Sequence, residues 1–304
     1  MASQRDVKGK IASVKNIQKI TRAMEMVAAA RLRRAEQRIA ALRPYAEAIG
    51  RMTRQAAQAA GAEASRLPLL SEHESETNVG LLLVTGDRGL AGGFNSQIIR
   101  AGIRIARELA EQKRVSVWYA TGRRGVSSLA FRGHELSGSY TGFTDRPAYS
   151  DARTIADDLI QGYVDGRLDR VDIVYNAYVS PLTQKVTHEQ LLPLSQEVVA
   201  GERAGDSGES GQAERSGPRA LVSYEPDPDE ILRRLVPDYV EISIYRALVE
   251  STAGFFGAQM TAMRSASENA GEIITDLTLQ MNRARQAEIT QEIMEVVAGA
   301  EGLS

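Results

Sequence analysis

The chain is predicted to combine an α/β domain with a long antiparallel coiled coil, its N- and C-terminal helices paired and a Rossmann-like open sheet between them. Three observations carry that prediction. Apolar residues recur at helical spacing over some 55 residues at each end, the two ends carry opposite net charge, and the middle alternates short apolar runs with amphipathic segments. At about 150 residues per domain, 304 residues leave room for a core.

Residues 1–60 are the first helix. Val7, Ile11, Val14, Ile17 or Ile20, Met24, Val27, Ala35, Ile39, Leu42, Ile49 and Met52 step by three and four, the stripe of an amphipathic helix. Pro44 removes one hydrogen bond, but alanine-rich sequence on both sides predicts that the helix resumes. A helix of about 55 residues is about 80 Å long, beyond an ordinary globular helix.

Residues 77–195 form the α/β unit. Asn78–Thr85 reads as a buried strand ending in a glycine turn, Asn95–Glu111 as a helix with Ile98, Ile99, Ile103 and Ile105 inward, and Arg114–Ala120 as a strand. A loop runs on to Tyr149, Ser150 or Asp151 caps a helix through Tyr163, and strands 171–179 and 184–194 form a hairpin across Ser180-Pro181. Residues 196–225 include Gly201–Ala220, which has five glycines and almost no apolar content, and read as a mobile loop.

Residues 226–304 return as the second long helix, with a break at Pro237. Ile244, Leu248, Met260, Met263, Ile273 or Ile274, Leu277, Met281 and Ala284 carry its stripe. Ile289, Ile293, Val296 or Val297, Ala300 and Leu303 continue it after a slip in phase. Residues 1–58 hold 13 Lys/Arg against 4 Asp/Glu, whereas residues 226–304 hold 6 against 13. Two apolar stripes on helices of opposite charge predict that the helices pair, antiparallel because the chain leaves along one and returns along the other.

The composition excludes much chemistry. No cysteine means no disulfide, thiolate metal site or thiol switch. His73, His134 and His188 lie far apart and have no metal-ligand spacing. No apolar run approaches the ~20 residues of a membrane span, and the charged N-terminus is no signal peptide. The loop Thr85-Gly-Asp-Arg-Gly-Leu-Ala-Gly-Gly-Phe-Asn95, between strand and helix, invites a phosphate-binding reading. It has neither GxGxxG in register nor GxxxxGK[ST], and Gly122-Arg-Arg-Gly125 falls short in the same way. Asp157-Asp158 and Asp227 with Asp229 read as surface and turn charge, because no partner base accompanies them. Arg31-Leu-Arg-Arg34 has no interleaved aromatics, so it reads as a solvated or interhelical face, with an acidic protein as the second possibility. No catalytic machinery, metal or cofactor is expected.

Two terminal blocks point to a family. Ile20-Thr-Arg-Ala-Met-Glu-Met-Val-Ala28 and Arg285-Gln-Ala-Glu-Ile-Thr-Gln-Glu-Ile-Met-Glu-Val-Val-Ala-Gly-Ala300 closely resemble the γ subunit of F-type ATP synthases. The 85–95 loop, Leu191-Leu-Pro-Leu194, Tyr224-Glu-Pro-Asp-Pro228 and Met263-Arg-Ser-Ala-Ser-Glu-Asn269 match further family segments in the same order, so the resemblance covers nearly the whole chain.

The resemblance implies a non-catalytic rotor subunit of the central stalk. It would turn within a ring of three α and three β subunits and sit with the ε subunit on the c ring, peripheral to the cytoplasmic face of a bacterial cell membrane. It would bind no nucleic acid and meet the membrane only through the c ring. It also implies that Met24 faces the moving lever of β, that Arg285 and Gln286 make polar contacts to a β loop with Thr290 a further contact one turn on, and that Val296, Val297 and the rest of the tip sit in an apolar sleeve. Ala91 stands where many members carry cysteine and Gln259 where some carry arginine, and the 201–220 loop lacks the cysteine pair of the chloroplast version. Two other readings are a nucleotide-binding α/β enzyme with a helical dimerisation arm and a free-standing coiled-coil scaffold.

Overall fold

The structure, a computed structural model, describes residues 4–61, 66–194 and 227–301. The segment expected to be a mobile loop, 196–225, lies outside the described residues. Helix α1 spans Gln4–Ala60 and the last helix, α5, spans Pro228–Glu301. At 1.5 Å per residue these are about 85 and 110 Å long. Pro44 is carried inside α1 as expected. Pro237 departs from expectation, because it does not break the returning helix. Leu232 and Val236 before it and Tyr239 and Val240 after it are all buried, and that burial holds the backbone helical across the lost hydrogen bond.

Between them lie β1 (Asn78–Val84), α2 (Phe94–Glu111), β2 (Val115–Thr121), α3 (Arg123–Phe131), β3 (Leu136–Tyr140), α4 (Tyr149–Val164), β4 (Arg170–Tyr178) and β5 (Gln184–Leu192). The strands form one sheet in the order β3-β2-β1-β4-β5, parallel except for β5, which runs antiparallel to β4. β1 sits at the centre, covered on both faces, which is why Val79 and Leu81–Val84 are all buried. The edge strand β5 alternates buried and exposed positions only loosely.

Helix α3 and strand β3 stand where a loop was expected. Their serines and glycines conceal them, and contacts distant in sequence explain the glycines. A Cβ on Gly138 would lie 2.6 Å from the Tyr119 ring, and one on Gly125 would lie 2.6 Å from the Thr85 hydroxyl. Helix α4 begins one residue before the expected caps. The Asp151 carboxylate accepts the Ala148 N–H at 2.8 Å, so Asp151 closes the helix start from inside its first turn.

Two cores flank the sheet, and both draw on the long helices. On one side α4 meets Leu232, Leu235, Val236, Val240, Ile244 and Leu248 of α5 and Ile49, Ala56 and Ala57 of α1. On the other, α2 and α3 share a core with Leu32 and Ala35 of α1 and Ala253, Phe255 and Phe256 of α5.

Candidate functional site on the coiled-coil shaft

The paired helices form an antiparallel shaft. Residues 7, 11, 14, 18, 21, 25, 28, 32, 35, 39, 42, 46, 49, 53, 56 and 60 of α1, stepping alternately by four and three, are each buried or half-buried. That is a heptad seam. On α5 it is answered by Phe256, Met260, Met263, Ser267, Ala270, Ile274, Leu277, Met281 and Ala284. Ile274, not Ile273, faces inward.

The α1 seam departs from expectation in its upper part. Gln18, Thr21, Glu25 and Ala28 occupy it, while Ile17 (52% exposed), Ile20 (59%) and Val27 (52%) face solvent. Met24, half-buried, lies on that outward stripe next to Glu25. Met52 is also exposed. One ion pair between the long helices runs against their net charges. Arg264 Nε reaches Glu25 Oε1 across the seam at 2.9 Å, which puts the cation on the acidic helix and the carboxylate on the basic one.

The α/β unit holds the shaft at several polar points. Thr252 Oγ1 on α5 donates to the Thr144 carbonyl at 2.8 Å. Arg31 on α1 lies over the Phe256 ring and reaches Asp145 at 3.2 Å, which Arg88 also approaches at 3.3 Å. Arg31 is therefore an interhelical contact, while Arg33 and Arg34 stay exposed. Tyr178 donates its hydroxyl to Glu36 of α1, and Arg246 of α5 pairs with Glu189 of β5 at 2.8 Å. Burial, and then the Glu36 carboxylate, push the Tyr178 hydroxyl above its ordinary value. Burial likewise raises the Glu250 carboxyl, against the pull of Arg246 beside it.

In an open α/β sheet a ligand enters at the carboxyl ends of the strands where the order reverses. Here that point lies between β1 and β4, and α5 fills it. The space bounded by Val84, Thr85, Gly86, Phe94, Thr144, Leu248, Ser251, Thr252 and Phe255 holds about 10 Å³, less than a water needs in comfort. Gly86 has no Cβ because the Phe255 ring would stand 3.1 Å from it, and Phe255 packs edge-on against Phe94.

The glycine loop turns its polar groups inward. Asn95 Oδ1 accepts the Gly86 N–H at 2.8 Å. The Asp87 carboxylate accepts from the Arg123, Gly142 and Thr144 N–H groups and the Thr144 hydroxyl at 2.8–3.2 Å. Against the effect of burial, the Gly142 N–H and the Thr144 hydroxyl lead in holding its carboxyl below the usual range. A nucleotide would find the crevice plugged and the Gly86 and Asp87 N–H groups engaged.

The three histidines and Asp158 have structural partners. His73 pairs with Asp169 at 3.0 Å and stacks on Tyr163, His188 pairs with buried Asp172 at 2.8 Å, and His134 lies against Trp118. Asp158 accepts the Tyr140 hydroxyl at 2.7 Å. Among the described residues no group of histidines and carboxylates is placed to hold a metal ion.

The tip is a lone helix. From Arg285 to Val296 every side chain of α5 is exposed, so Ile289, Ile293 and Val296 do not continue the seam as expected. Antiparallel pairing brings the start of α1 level with about residue 283, which leaves some 25 Å of α5 projecting beyond it. Arg285 and Gln286 project into solvent, and Thr290 Oγ1 donates back to the Gln286 carbonyl at 2.8 Å. Val296 is 72% exposed, and the side chain of Val297 lies outside the described residues. The tip residues thus share one projecting segment, with Met24 far below them on α1. Sequence reasoning missed the Ile17–Val27 stripe and the contacts through Tyr178, Thr144 and Asp145. Unbroken four-three spacing from Val7 to Ala60 was the signal for the first, and the second had none.

The sequence model of the family described as ATP synthase matches residues 3–303. An ATP synthase gamma chain of Rubrobacter xylanophilus is 43% identical over 304 residues, covering 100% of this chain and 99% of its own. The chain belongs to the ATP synthase gamma chain family. A second member, from Heliobacterium modesticaldum, is 42% identical over 304 residues with both chains wholly covered. Among solved structures, a chain of the Euglena gracilis mitochondrial ATP synthase OSCP/F1/c-ring assembly aligns with a TM-score of 0.64 at 15% identity, covering 99% of this chain and 94% of that one. A chain of the Tetrahymena thermophila central stalk/c-ring aligns with a TM-score of 0.57 at 23% identity, covering 82% and 99%. These two likenesses bear on the fold, and the paired terminal helices about an open sheet are the fold of the family.

Proposed function

We propose that this chain is the central-stalk rotor subunit of an F-type ATP synthase, coupling proton-driven rotation of the c ring to conformational change in the catalytic β subunits. The supporting observation is the changing cross-section of the shaft. It is two helices thick up to about residue 284, shows an apolar stripe on one side of α1, and ends as a single exposed helix. Three identical sites around such an object cannot have equivalent surroundings. Each β conformation then depends on shaft angle through differential contact free energy.

The chain carries no catalytic residue of its own. Its partners are the α and β subunits around the shaft and the ε subunit and c ring at the α/β unit. Met24, Arg285, Gln286, Thr290, Val296 and Val297 are the proposed contacts to the ring. Met24 is supported by its neighbours Ile17, Ile20 and Val27 on the exposed stripe, and the tip residues by their projection beyond α1. The subunit works at the cytoplasmic face of the bacterial membrane, held there by its partners. No described helix is long and apolar enough to cross a membrane.

The test is reconstitution. The purified chain should show no ATPase turnover, and mixing it with α and β should give an active complex that also captures ε. Turnover by the chain alone, or α and β unaffected by its addition, would overturn the reading. The filled crevice at β1 and β4 argues against a nucleotide-binding enzyme, and titration with ATP or NAD should release no heat.

A further inference from the structure

We infer that Gln18 and Glu25 act as positioning residues that set the roll of α1 about its own axis, keeping its more apolar face turned away from α5. The observation behind this is an inversion. Between Val14 and Leu32, α1 offers two candidate seams offset by one residue: Ile17, Ile20, Met24 and Val27, or Gln18, Thr21, Glu25 and Ala28. One residue is a turn of about 100° around a helix. Burial of apolar surface favours the first set. The structure pairs the second set with α5, leaving Ile17, Ile20 and Val27 exposed and Met24 half-buried.

Two contacts oppose the hydrophobic preference. Gln18 Nε2 donates to the Ser267 carbonyl at 3.2 Å, in space left by Gly271, where a Cβ would lie 3.2 Å from that nitrogen. Gly271 is the only glycine between residues 258 and 284. Two turns along, Arg264 Nε donates to Glu25 Oε1 at 2.9 Å. The two α1 residues are seven apart, so they hold the same face at two heights, and a roll of α1 breaks both together. Val7 and Ile11 above them and Leu32 and Ala35 below are buried on the same face, so the two contacts hold the stretch of α1 that lies between those apolar anchors. Polar seam residues here act against an alternative packing that the same sequence would otherwise prefer. That the exposed stripe meets a surrounding ring rests on the rotor reading, whereas the roll itself does not.

The chain has no cysteine, so a single introduced thiol reports its own exposure. In the full-length chain, Ile20→Cys should react quickly with a soluble thiol reagent, and Ala28→Cys, at a position fully buried in the seam, slowly. Adding Gln18→Ala and Glu25→Ala, which removes both contacts without making the present seam more apolar than the outer stripe, should slow Ile20→Cys several-fold and speed Ala28→Cys, with helical content by circular dichroism unchanged. The charge-swapped Glu25→Arg/Arg264→Glu chain should leave both rates as they were. Unchanged rates in the Ala variants would overturn the inference. So would a rise at both positions or a loss of helicity, since the polar pairs would then hold the helices together rather than choose a face. The labelling needs neither α nor β, so its outcome stands whether or not the chain joins a ring.

Discussion

Tyr178, the last residue of β4, donates its hydroxyl to the Glu36 carboxylate of α1 across 142 residues of sequence. Its own backbone N–H points to Glu250 of α5 at 3.4 Å, so one residue touches both helices of the shaft. Tyr178→Phe should lower stability by about 1 kcal/mol, the net worth of a hydrogen bond of this kind. Urea unfolding would measure it. In the assembled complex, proton pumping per ATP hydrolysed should fall, and an unchanged ratio would show that the torque passes elsewhere.

Glycine-to-alanine changes on α5 should have opposite signs at two positions. At Gly257 a Cβ would stand 2.7 Å from the Pro181 carbonyl oxygen, a backbone atom of the β4–β5 turn. Gly257→Ala should therefore cost about 1–3 kcal/mol of overpacking. At Gly271 the methyl meets only the end of the Gln18 side chain. Gly271→Ala should be neutral or gain up to about 1 kcal/mol from helix propensity. Thermal unfolding of the two variants side by side decides the matter.

Alkali should destabilise the fold through its buried tyrosines. Burial raises the hydroxyls of Tyr140, Tyr149, Tyr175 and Tyr178, and burial followed by the charge of Asp169 pushes Tyr163 up to about 12. A folded value above the unfolded one, about 10, means that the native state binds more protons above that pH. Their stabilisation is complete below about pH 10 and is lost as the pH rises through the folded values. Unfolding midpoints should hold steady up to that pH and then fall, less steeply in Tyr163→Phe, whose hydroxyl donates to the Ser71 carbonyl.

Asp87 should govern the acid side of the same curve. Its lowered carboxyl stabilises the fold above the unfolded value and loses that contribution as the pH falls through the folded one. Asp87→Asn sets an amide against N–H donors and should cost on the order of 2 kcal/mol while flattening the acid limb. A variant as stable as the parent would show that the loop is held by its glycines instead.

Met24→Ala/Gln286→Ala/Thr290→Ala should leave folding nearly intact, since Gln286 and Thr290 are exposed and surface changes stay within about 0.5 kcal/mol each. ATP synthesis by the complex should fall sharply. Normal synthesis would favour the scaffold reading.

Periodic features were the legible ones. Both long helices, β1, α2, β2, α4 and the β4–β5 hairpin follow from spacing and apolar runs that act over a few residues. Helix α3 and strand β3 escaped because Gly125 and Gly138 read as breakers until Thr85 and Tyr119 stand over them. Pro237 read as a stop because its lost hydrogen bond is local, while the burial of Leu232, Val236, Tyr239 and Val240 that outweighs it is not.

By itself the sequence determined that two long helices close on each other antiparallel around an α/β sheet, because heptad spacing and chain direction are local properties. It also carried the terminal blocks that mark the family. Only the tertiary structure decided which face of α1 turns inward, that α5 fills the crevice where a ligand would enter, and where the seam stops and the lone tip begins. Those outcomes depend on what each side chain meets from the other end of the chain. A hydrogen bond from Gln18 or a ring from Phe255 can overrule hydrophobicity that is read one residue at a time.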